Sequence, residues 1–323
     1  MRRGRSVGIV LGCLLWLAVV PAGSGAAQEW PSKPVKIVVP FGPGGSSDQL
    51  ARILAPELSA VFGQQFYIEN RAGSSGAIGA AQVAKAAPDG YTLVNAGSGP
   101  HLTGPAINPN VGYDPLKDFT HVAMVAADSF VLVAHPALGA RSIADLVRVG
   151  RGRHLTSSSP GAGSLGHLIL ERFKRSAGLA IQHVPAPNSG IQDVLGNHIN
   201  MTVTTLLTAG LQIRGGLLVP LAVTAPQRHP AYPQIPSFAE QGLPDVRGDT
   251  WFWLAGPAGL PPFVMTQLNQ ETRRIIKTPT VQAQFNKLSL LTRDLDPAGV
   301  TKFVADEYAY WAPLAKEIGL RVQ

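Results

Sequence analysis

Residues 35–57 read VKIVVPFGPGGSSDQLARILAPE and combine a strand, a glycine-rich turn and the start of a helix. β-Branched residues dominate positions 35–39, which predicts a buried strand. Proline and glycine at 40–45 end that strand and let backbone N–H groups approach a ligand. Ser46, Ser47 and Asp48 are good N-cap residues, and apolar residues then recur at helical spacing. A helix N-terminus facing a cleft favours an anion, because its free N–H groups and its dipole attract negative charge.

The composition is that of a folded, exported chain. It has 323 residues, of which 45% are hydrophobic and 15% charged, enough for two packed domains. Residues 1–27 resemble a secretory signal, with arginines at 2, 3 and 5, an apolar core over 7–20 and small residues at 25–27. A membrane anchor is the alternative, but the apolar core is short for a span.

Cysteine usage and charge exclude several functional classes. The one cysteine, Cys13, lies inside the predicted signal, and most of the apolar core follows it, which argues against lipidation. The mature chain would therefore have no disulfide, cysteine nucleophile or thiolate metal site. Removing the three signal arginines leaves 24 basic and 20 acidic side chains, a formal charge of +4. The basic residues form no runs, so we expect no nucleic-acid partner.

Strands alternate with helices along the chain, which predicts an α/β fold of mostly parallel sheets flanked by helices. Further strands are predicted at 65–69, 91–95, 122–133, 155–158, 181–184, 199–205, 217–224 and 250–254. Helices are predicted at 77–87, 142–149, 168–173, 191–195, 262–277, 280–288 and 298–318, and a loop at 97–101. The long apolar strand, interrupted by Asp128 and Ser129, is predicted to cross into a second lobe, and 250–254 to return. This gives lobe 1 as residues 28–125 with 250–323, and lobe 2 as 126–249.

Two motifs are nearly matched around residues 161–166, which read GAGSLG. The glycine spacing fits a dinucleotide loop, but no acidic residue ends the following strand. The stretch also approaches a nucleophile elbow at Ser164, although Ala162 replaces its first glycine. An exported serine hydrolase using Ser164 and His167 is therefore kept as an alternative. No zinc-binding histidine spacing occurs, so we expect no metal and no cofactor.

Aromatic residues mark a further candidate part of the site. Trp251, Phe252 and Trp253 form the densest cluster, for which we expect two rings to pack in the core and one to face a cleft. Phe41 lies within the first glycine-rich loop, where a core role is harder to explain.

Taken together, the motifs resemble those of the Bug-type receptors, the periplasmic solute-binding proteins of tripartite tricarboxylate transporters. The resemblance covers the whole mature chain in order. It rests on WPSKPVKIVVPF at 30–41, PGGS at 43–46 with Asp48, ENR at 69–71, Gly73, Gly76, IG at 78–79, APDGYTL at 87–93, YDP at 113–115, KDF at 117–119, HVP at 183–185, LAVT at 221–224, WF at 251–252 and PAG at 257–259.

The family resemblance implies two α/β lobes, joined by two crossing strands, that close on a small organic carboxylate in the periplasm. The implied partners are that ligand and the membrane permease subunits of the transporter, with the receptor acting as a monomer. A receptor that senses the ligand for a membrane kinase is a further alternative, because both roles use the same closed form.

The resemblance also assigns candidate binding residues. In lobe 1 they are Phe41, Gly42, Gly45, Ser46, Asp48, Ser74, Ser75, Ser98 and His101, with Asp48 expected as a cap or water holder since it would repel an anion. In lobe 2 they are Ser158, Ser159, Gly163, Ser164 and His167.

Two departures from the family pattern bear on the ligand. Residues 186–190 read APNSG where the family usually has Tyr, Lys and Gly, and Asn200 and Thr204 stand where many members carry aspartates. Without an aspartate to pair with an ammonium group, an amino-acid ligand is disfavoured. We expect a mono- or dicarboxylate, aromatic ones included, whose far end is bound by Asn188, Thr204 or Thr205.

Overall fold

The computed structural model describes Met1, residues 30–108 and residues 110–318. The predicted signal, including Cys13, lies outside the described residues apart from Met1. No helix in the described part of the chain combines the length and the apolar character needed to cross a bilayer.

The described residues form nine strands and ten α-helices. The strands are β1 Val35–Val39, β2 Phe66–Asn70, β3 Thr92–Gly97, β4 Phe119–Ala134, β5 Leu155–Ser158, β6 Ile181–His183, β7 Met201–Thr205, β8 Val219–Val223 and β9 Asp249–Pro257. The helices are α1 Ser46–Phe62, α2 Ala77–Ala84, α3 Gly104–Ile107, α4 Ile143–Gly150, α5 Leu165–Ala177, α6 Ile191–Leu195, α7 Leu206–Arg214, α8 Pro262–Ile275, α9 Pro279–Lys287 and α10 Pro297–Glu317.

The strands lie in the order β2-β1-β3-β9-β4-β7-β5-β6, with β8 also paired to β4. Pairing is parallel among β2, β1 and β3 and among β6, β5 and β7, whereas β4 and β9 run antiparallel to their neighbours. The 16-residue strand β4 pairs with β9 up to Ser129 and with β7 and β8 beyond it. The predicted two-lobed α/β fold, joined by two crossing strands, is confirmed.

The hydrophobic cores follow this division, and α10 contacts both. Val35, Ile37 and Leu50 belong to a cluster on the β1–α1 side, whereas Leu168 and Phe173 of α5 belong to the cluster around β5 and β7. In α10, Val300 and Val304 pack on the first half of the sheet, and Trp311 and Leu314 pack on the second. The C-terminal helix therefore connects the two cores.

Residues 97–101 differ from the predicted loop. Residues Gly99–Thr103 form a wide helical turn that continues into α3. The turn can pack closely on residue 75 because position 99 is glycine: a Cβ there would lie 2.9 Å from the Ser75 carbonyl oxygen. The hydroxyl of Tyr113 donates to the Pro100 carbonyl oxygen and fixes the turn from the other side.

Helix α7 was not among the predicted helices. Its centre contains Gly210, which lowers intrinsic helix propensity. The glycine is required by packing, since a Cβ at this position would lie 2.3 Å from the Tyr232 hydroxyl oxygen. Thr205 caps the helix by accepting a hydrogen bond from the Thr208 N–H at 3.4 Å. Tertiary contacts therefore override the local signal here.

Candidate functional site

A cavity of about 500 Å³ lies between the two halves of the sheet, at the N-termini of three helices. Gly45 and Ser46 line it from the start of α1, Ser164 and Leu165 from the start of α5, and Thr205 from the cap of α7. Three helix N-termini converging on one cavity create positive potential without any charged side chain.

Eight of the sequence-predicted residues line this cavity. The candidates of lobe 1 form a first rim, of which Phe41, Gly45, Ser46, Ser75 and Ser98 line the cavity. Those of lobe 2 form a second rim, of which Ser164, Thr204 and Thr205 line it. The structure therefore brings both predicted rims to one place, although contact of these residues with a ligand stays a prediction.

Four first-rim residues lie elsewhere: Gly42, Ser74 and Asp48, and also His101. Gly42 and Ser74 are exposed and lie outside the cavity lining. Asp48 is buried, and its carboxylate accepts hydrogen bonds from the Gly44 N–H, the Asn70 amide and Arg52 at 2.8–2.9 Å. Asp48 therefore braces the glycine-rich turn, but it is not the cap of α1, whose N-cap is Gly45 with no side-chain cap hydrogen bond.

The prediction that His101 binds ligand is wrong. The side chain is fully buried among aromatic rings, 4.6 Å from the Phe119 ring and 5.1 Å from the Trp253 ring between centroids. Within the described residues, neither ring nitrogen has a hydrogen-bond partner. Burial, and secondarily the nearby His121, hold the pKa of His101 well below its usual value, so the ring is a neutral core group.

Replacing His101 by phenylalanine should make the protein less sensitive to acid. Below pH 6.5, the ordinary imidazole pKa, the unfolded chain binds a proton that the folded chain refuses, so stability falls as pH falls. Without this imidazole the fall should be shallower by up to about 1.4 kcal/mol per pH unit. Urea unfolding at pH 7.5 and pH 5 measures the difference. Any packing cost of the larger ring lowers stability at both pH values, and equal pH slopes for both proteins would contradict the prediction.

In the second rim, His167 and Gly163 form a hydrogen bond with each other. Both lie outside the cavity lining. The Gly163 N–H donates to His167 Nδ1 at 3.2 Å, so this amide is not free for a ligand. The imidazole of His167 stacks on that of His183 at 3.7 Å, and His183 Nε2 lies 2.9 Å from the Ser159 hydroxyl. Ser159 also lies outside the lining. The three predicted residues His167, Gly163 and Ser159 therefore support the rim without lining the cavity, and their contact with a ligand stays a prediction.

Ser158 and Asn188 complete the predicted set. The Ser158 hydroxyl is buried and donates to the Ser189 carbonyl oxygen at 2.7 Å, which fixes the loop that places Ser189 in the cavity. Ser158 is thus a loop anchor and does not line the cavity. The side chain of Asn188 lies outside the described part of the chain.

The geometry does not favour the hydrolase alternative. The Ser164 hydroxyl accepts a hydrogen bond from the backbone N–H of His167 at 3.2 Å and acts as the N-cap of α5. The His167 imidazole is turned toward Gly163 and toward Glu171, whose carboxylate lies 3.6 Å from Nε2. A base must lie within hydrogen-bond reach of its nucleophile, and no such pair with Ser164 occurs among the described residues.

Several cavity residues were not predicted as site residues. They are Ser47, Thr103, Phe130, Pro160, Leu165, Gly166, Ser189, Thr208, Thr250 and Phe252. Phe252 is the one ring of the 251–253 cluster in this lining, while Trp253 is fully buried and Trp251 packs 4.9 Å from the Phe303 ring. The expectation of two packed rings and one facing the cleft is confirmed.

A buried carboxyl group lies directly behind the cavity wall. Asp128 of β4 is fully buried, and its two oxygens accept from the Ser46 hydroxyl and the Leu207 N–H, each at 3.3 Å. Burial raises the pKa of Asp128 to about 7, against hydrogen bonds from Thr205, Leu207 and Ser46 that lower it. In the sequence, Asp128 and Ser129 interrupt a long apolar strand. This interruption predicts a crossing strand but does not by itself indicate a role for Asp128 in the site.

The lining residues of the cavity in the described chain are all neutral. An anion there would be held by helix N–H groups and hydroxyls, with Phe41, Phe130 and Phe252 as apolar walls. This chemistry suits a small organic acid with an apolar body.

Comparison with known proteins agrees with this geometry. Residues 50–320 match the family model described as the tripartite tricarboxylate transporter family receptor. Protein BugT of Bordetella pertussis is 32% identical over 92% of this chain and 93% of its own. Among solved structures, an R. palustris protein with adipate is 33% identical with a TM-score of 0.82, covering 90% of this chain and 99% of its own. MatC from Rhodopseudomonas palustris, with bound malate, is 26% identical with a TM-score of 0.78, covering 88% and 100%. The family match spans most of the sequence, and the chain therefore belongs to the receptor family of the tripartite tricarboxylate transporters.

Proposed function

We propose that the protein is a periplasmic receptor that captures a small organic carboxylate between its lobes and delivers it to the membrane permease subunits of a tripartite tricarboxylate transporter. The observation that carries the proposal is the convergence of the N-termini of α1, α5 and α7 on one neutral, hydroxyl-lined cavity. Such termini bind carboxylates without a cationic side chain. Related proteins hold adipate and malate, which supports the ligand class.

The ligand is a mono- or dicarboxylate, aromatic ones included. The cavity of about 500 Å³ is within the range of small-molecule sites. Ser46, Ser75 and Ser98 bind one end from the first rim, and Thr204 and Thr205 bind the far end from the second. The apolar walls exclude ligands that are polar along their whole length.

The receptor works as a monomer whose two lobes close on the ligand. Lobe 1 comprises residues 28–125 and 250–323, and lobe 2 comprises residues 126–249. Closure presents a loaded shape that the permease distinguishes from the empty one. Strand β4 runs from lobe 1 into lobe 2, and β9 begins at the boundary between them, so these two crossing strands supply the hinge.

A carboxylate panel tests the function. Thermal unfolding of the chain from residue 28 is measured with adipate, malate, succinate, benzoate, phthalate and glutamate. A ligand at a hundred times its Kd should raise stability by about 2.7 kcal/mol, a Tm shift of about 5 °C. We expect such a shift with at least one carboxylate other than glutamate. Calorimetric binding of glutamate alone would contradict the proposal.

The receptor carries out no chemistry on its ligand. We expect a chromogenic ester to stay intact in its presence, with no effect of a serine-directed inhibitor. Turnover that disappears in Ser164→Ala would instead favour the hydrolase alternative.

A further inference from the structure

The carboxyl group of Asp128 lies between the two rims, one side chain removed from the cavity. Ser46, which lines the cavity at the start of α1, donates its hydroxyl hydrogen to Asp128 Oδ2 at 3.3 Å. On the other side, the Leu207 N–H of α7 donates to Oδ1 at 3.3 Å. Asp128 itself is fully buried and does not line the cavity. It can therefore act on a ligand only through groups such as Ser46.

The direction of the Ser46 hydroxyl decides whether this residue attracts or repels an anion. A serine hydroxyl has one hydrogen to donate and two lone pairs that accept. While Ser46 donates its hydrogen to an ionised Asp128, the lone pairs of the Ser46 oxygen face the cavity. They repel a ligand carboxylate. A protonated Asp128 can donate to the Ser46 oxygen instead. The hydroxyl hydrogen is then free to turn into the cavity and donate to the ligand.

A second buried carboxyl group, that of Asp249, lies close to Asp128 and disfavours a negative charge on it. Asp249 lies on the neighbouring strand β9, where Ser129 pairs with Asp249 and Asp128 pairs with Thr250. The carboxyl group of Asp249 is itself buried, accepts from Thr224 at 3.4 Å, and further raises the pKa of Asp128.

Nearby charged groups are occupied elsewhere. On α1, Asp48 is paired with Arg52, and on α7 the only charged side chain is Arg214, at the far end of the helix. Two charged residues act on Asp249, namely Glu307 and Arg293. Glu307 is paired with Arg247. The guanidinium of Arg293 lies over the Trp251 and Phe303 rings. Within the described residues, no cationic side chain pairs with Asp128.

We propose that Asp128 is a positioning residue of the carboxylate site, which takes up one proton from solvent when an anionic ligand binds and thereby turns the Ser46 hydroxyl toward that ligand. The inference rests on the proposed function. Burial already raises the pKa of Asp128 to about 7, and a carboxylate one hydroxyl away raises it further, which favours protonation around neutral pH. Capture is then coupled to proton uptake.

Calorimetry of the unaltered protein tests the coupling. The panel carboxylate with the largest thermal shift is titrated at pH 8 in phosphate and in Tris. Because the two buffers differ in their heats of ionisation, the difference in binding heat gives the number of protons that the complex takes up on binding. We expect uptake close to one proton, and a Kd that rises about tenfold per pH unit between pH 7.5 and 9, where the carboxylates themselves no longer titrate.

Two variants separate the role of Asp128 from general effects of a buried carboxyl group. In Asp128→Asn the amide can donate to the Ser46 oxygen permanently, so proton uptake should vanish and affinity at pH 8 should rise about tenfold. Asp249→Asn removes a neighbouring buried carboxyl group that does not contact Ser46, so close to one proton should still be taken up.

The outcomes distinguish the inference from the function on which it rests. Tight binding to the unaltered protein without proton uptake would overturn the role of Asp128 and leave the receptor function intact. An ammonium-bearing ligand whose binding is lost in Asp128→Asn would show that Asp128 acts ionised, which also overturns it. Failure of every panel carboxylate to bind would overturn the proposed function and the inference together.

Discussion

Replacing Ser46 by aspartate should lower carboxylate affinity at least a hundredfold. Ser46 lines the cavity at the first turn of α1. A carboxylate at this position would lie about 5 Å from the ligand, and at an effective dielectric constant of about 20 the repulsion is about 3 kcal/mol. Isothermal titration with the panel carboxylates at pH 8 measures the loss.

A matched control keeps the size of the side chain and removes its charge. Ser46→Asn should retain affinity within about tenfold, since its amide can donate to the ligand where the carboxylate cannot. The helix dipole stabilises an aspartate in the first turn, so Ser46→Asp should not unfold α1. Thermal unfolding without ligand checks this. Equal affinities for the two variants would show that the ligand carboxylate is not held at the N-terminus of α1.

The fold was predictable because local and tertiary signals agree in most of the chain. The apolar strand over 35–39, the glycine-rich turn and the helix after it appear in the structure as β1, the loop to Ser46 and α1. Carboxyl ends of parallel strands meet at one edge of a sheet, so helices beginning at Ser46 and just after Ser164 could be expected to face the same cleft. Both residues do line the cavity.

The remaining part of the site depends on side-chain directions that sequence spacing does not define. His101 and His167 follow glycine-rich segments just as the cavity serines do, yet one imidazole packs against Phe119 and the other against His183. Only tertiary packing decides this. Asp128 lies 82 residues from Ser46 in sequence, and their contact exists because β4 passes beside the N-terminus of α1. No local pattern could have shown that contact.

The crossing strand β9 should be the most sensitive part of the core. Trp253 is fully buried there, in register with Ala96 of β3 and Met124 of β4. Its indole N–H donates to His121 Nδ1 at 2.9 Å. We expect Trp253→Ala to lower the free energy of unfolding by about 3–5 kcal/mol, because it removes a large apolar side chain and leaves a buried acceptor unpaired.

Denaturant unfolding of three variants tests whether this loss comes from the cavity or from the hydrogen bond. Trp253→Phe keeps most of the apolar contact and loses the bond to His121, so a cost of about 1–3 kcal/mol is expected. Phe263→Ala truncates an aromatic ring that is 51% exposed, and surface changes of this kind stay within about 0.5 kcal/mol. If Trp253→Ala cost no more than Phe263→Ala, the indole would not be packed between β3 and β4. Because β9 pairs with β4 as far as Ser129, next to Asp128, weakening it should also loosen the strand that supports the cavity wall.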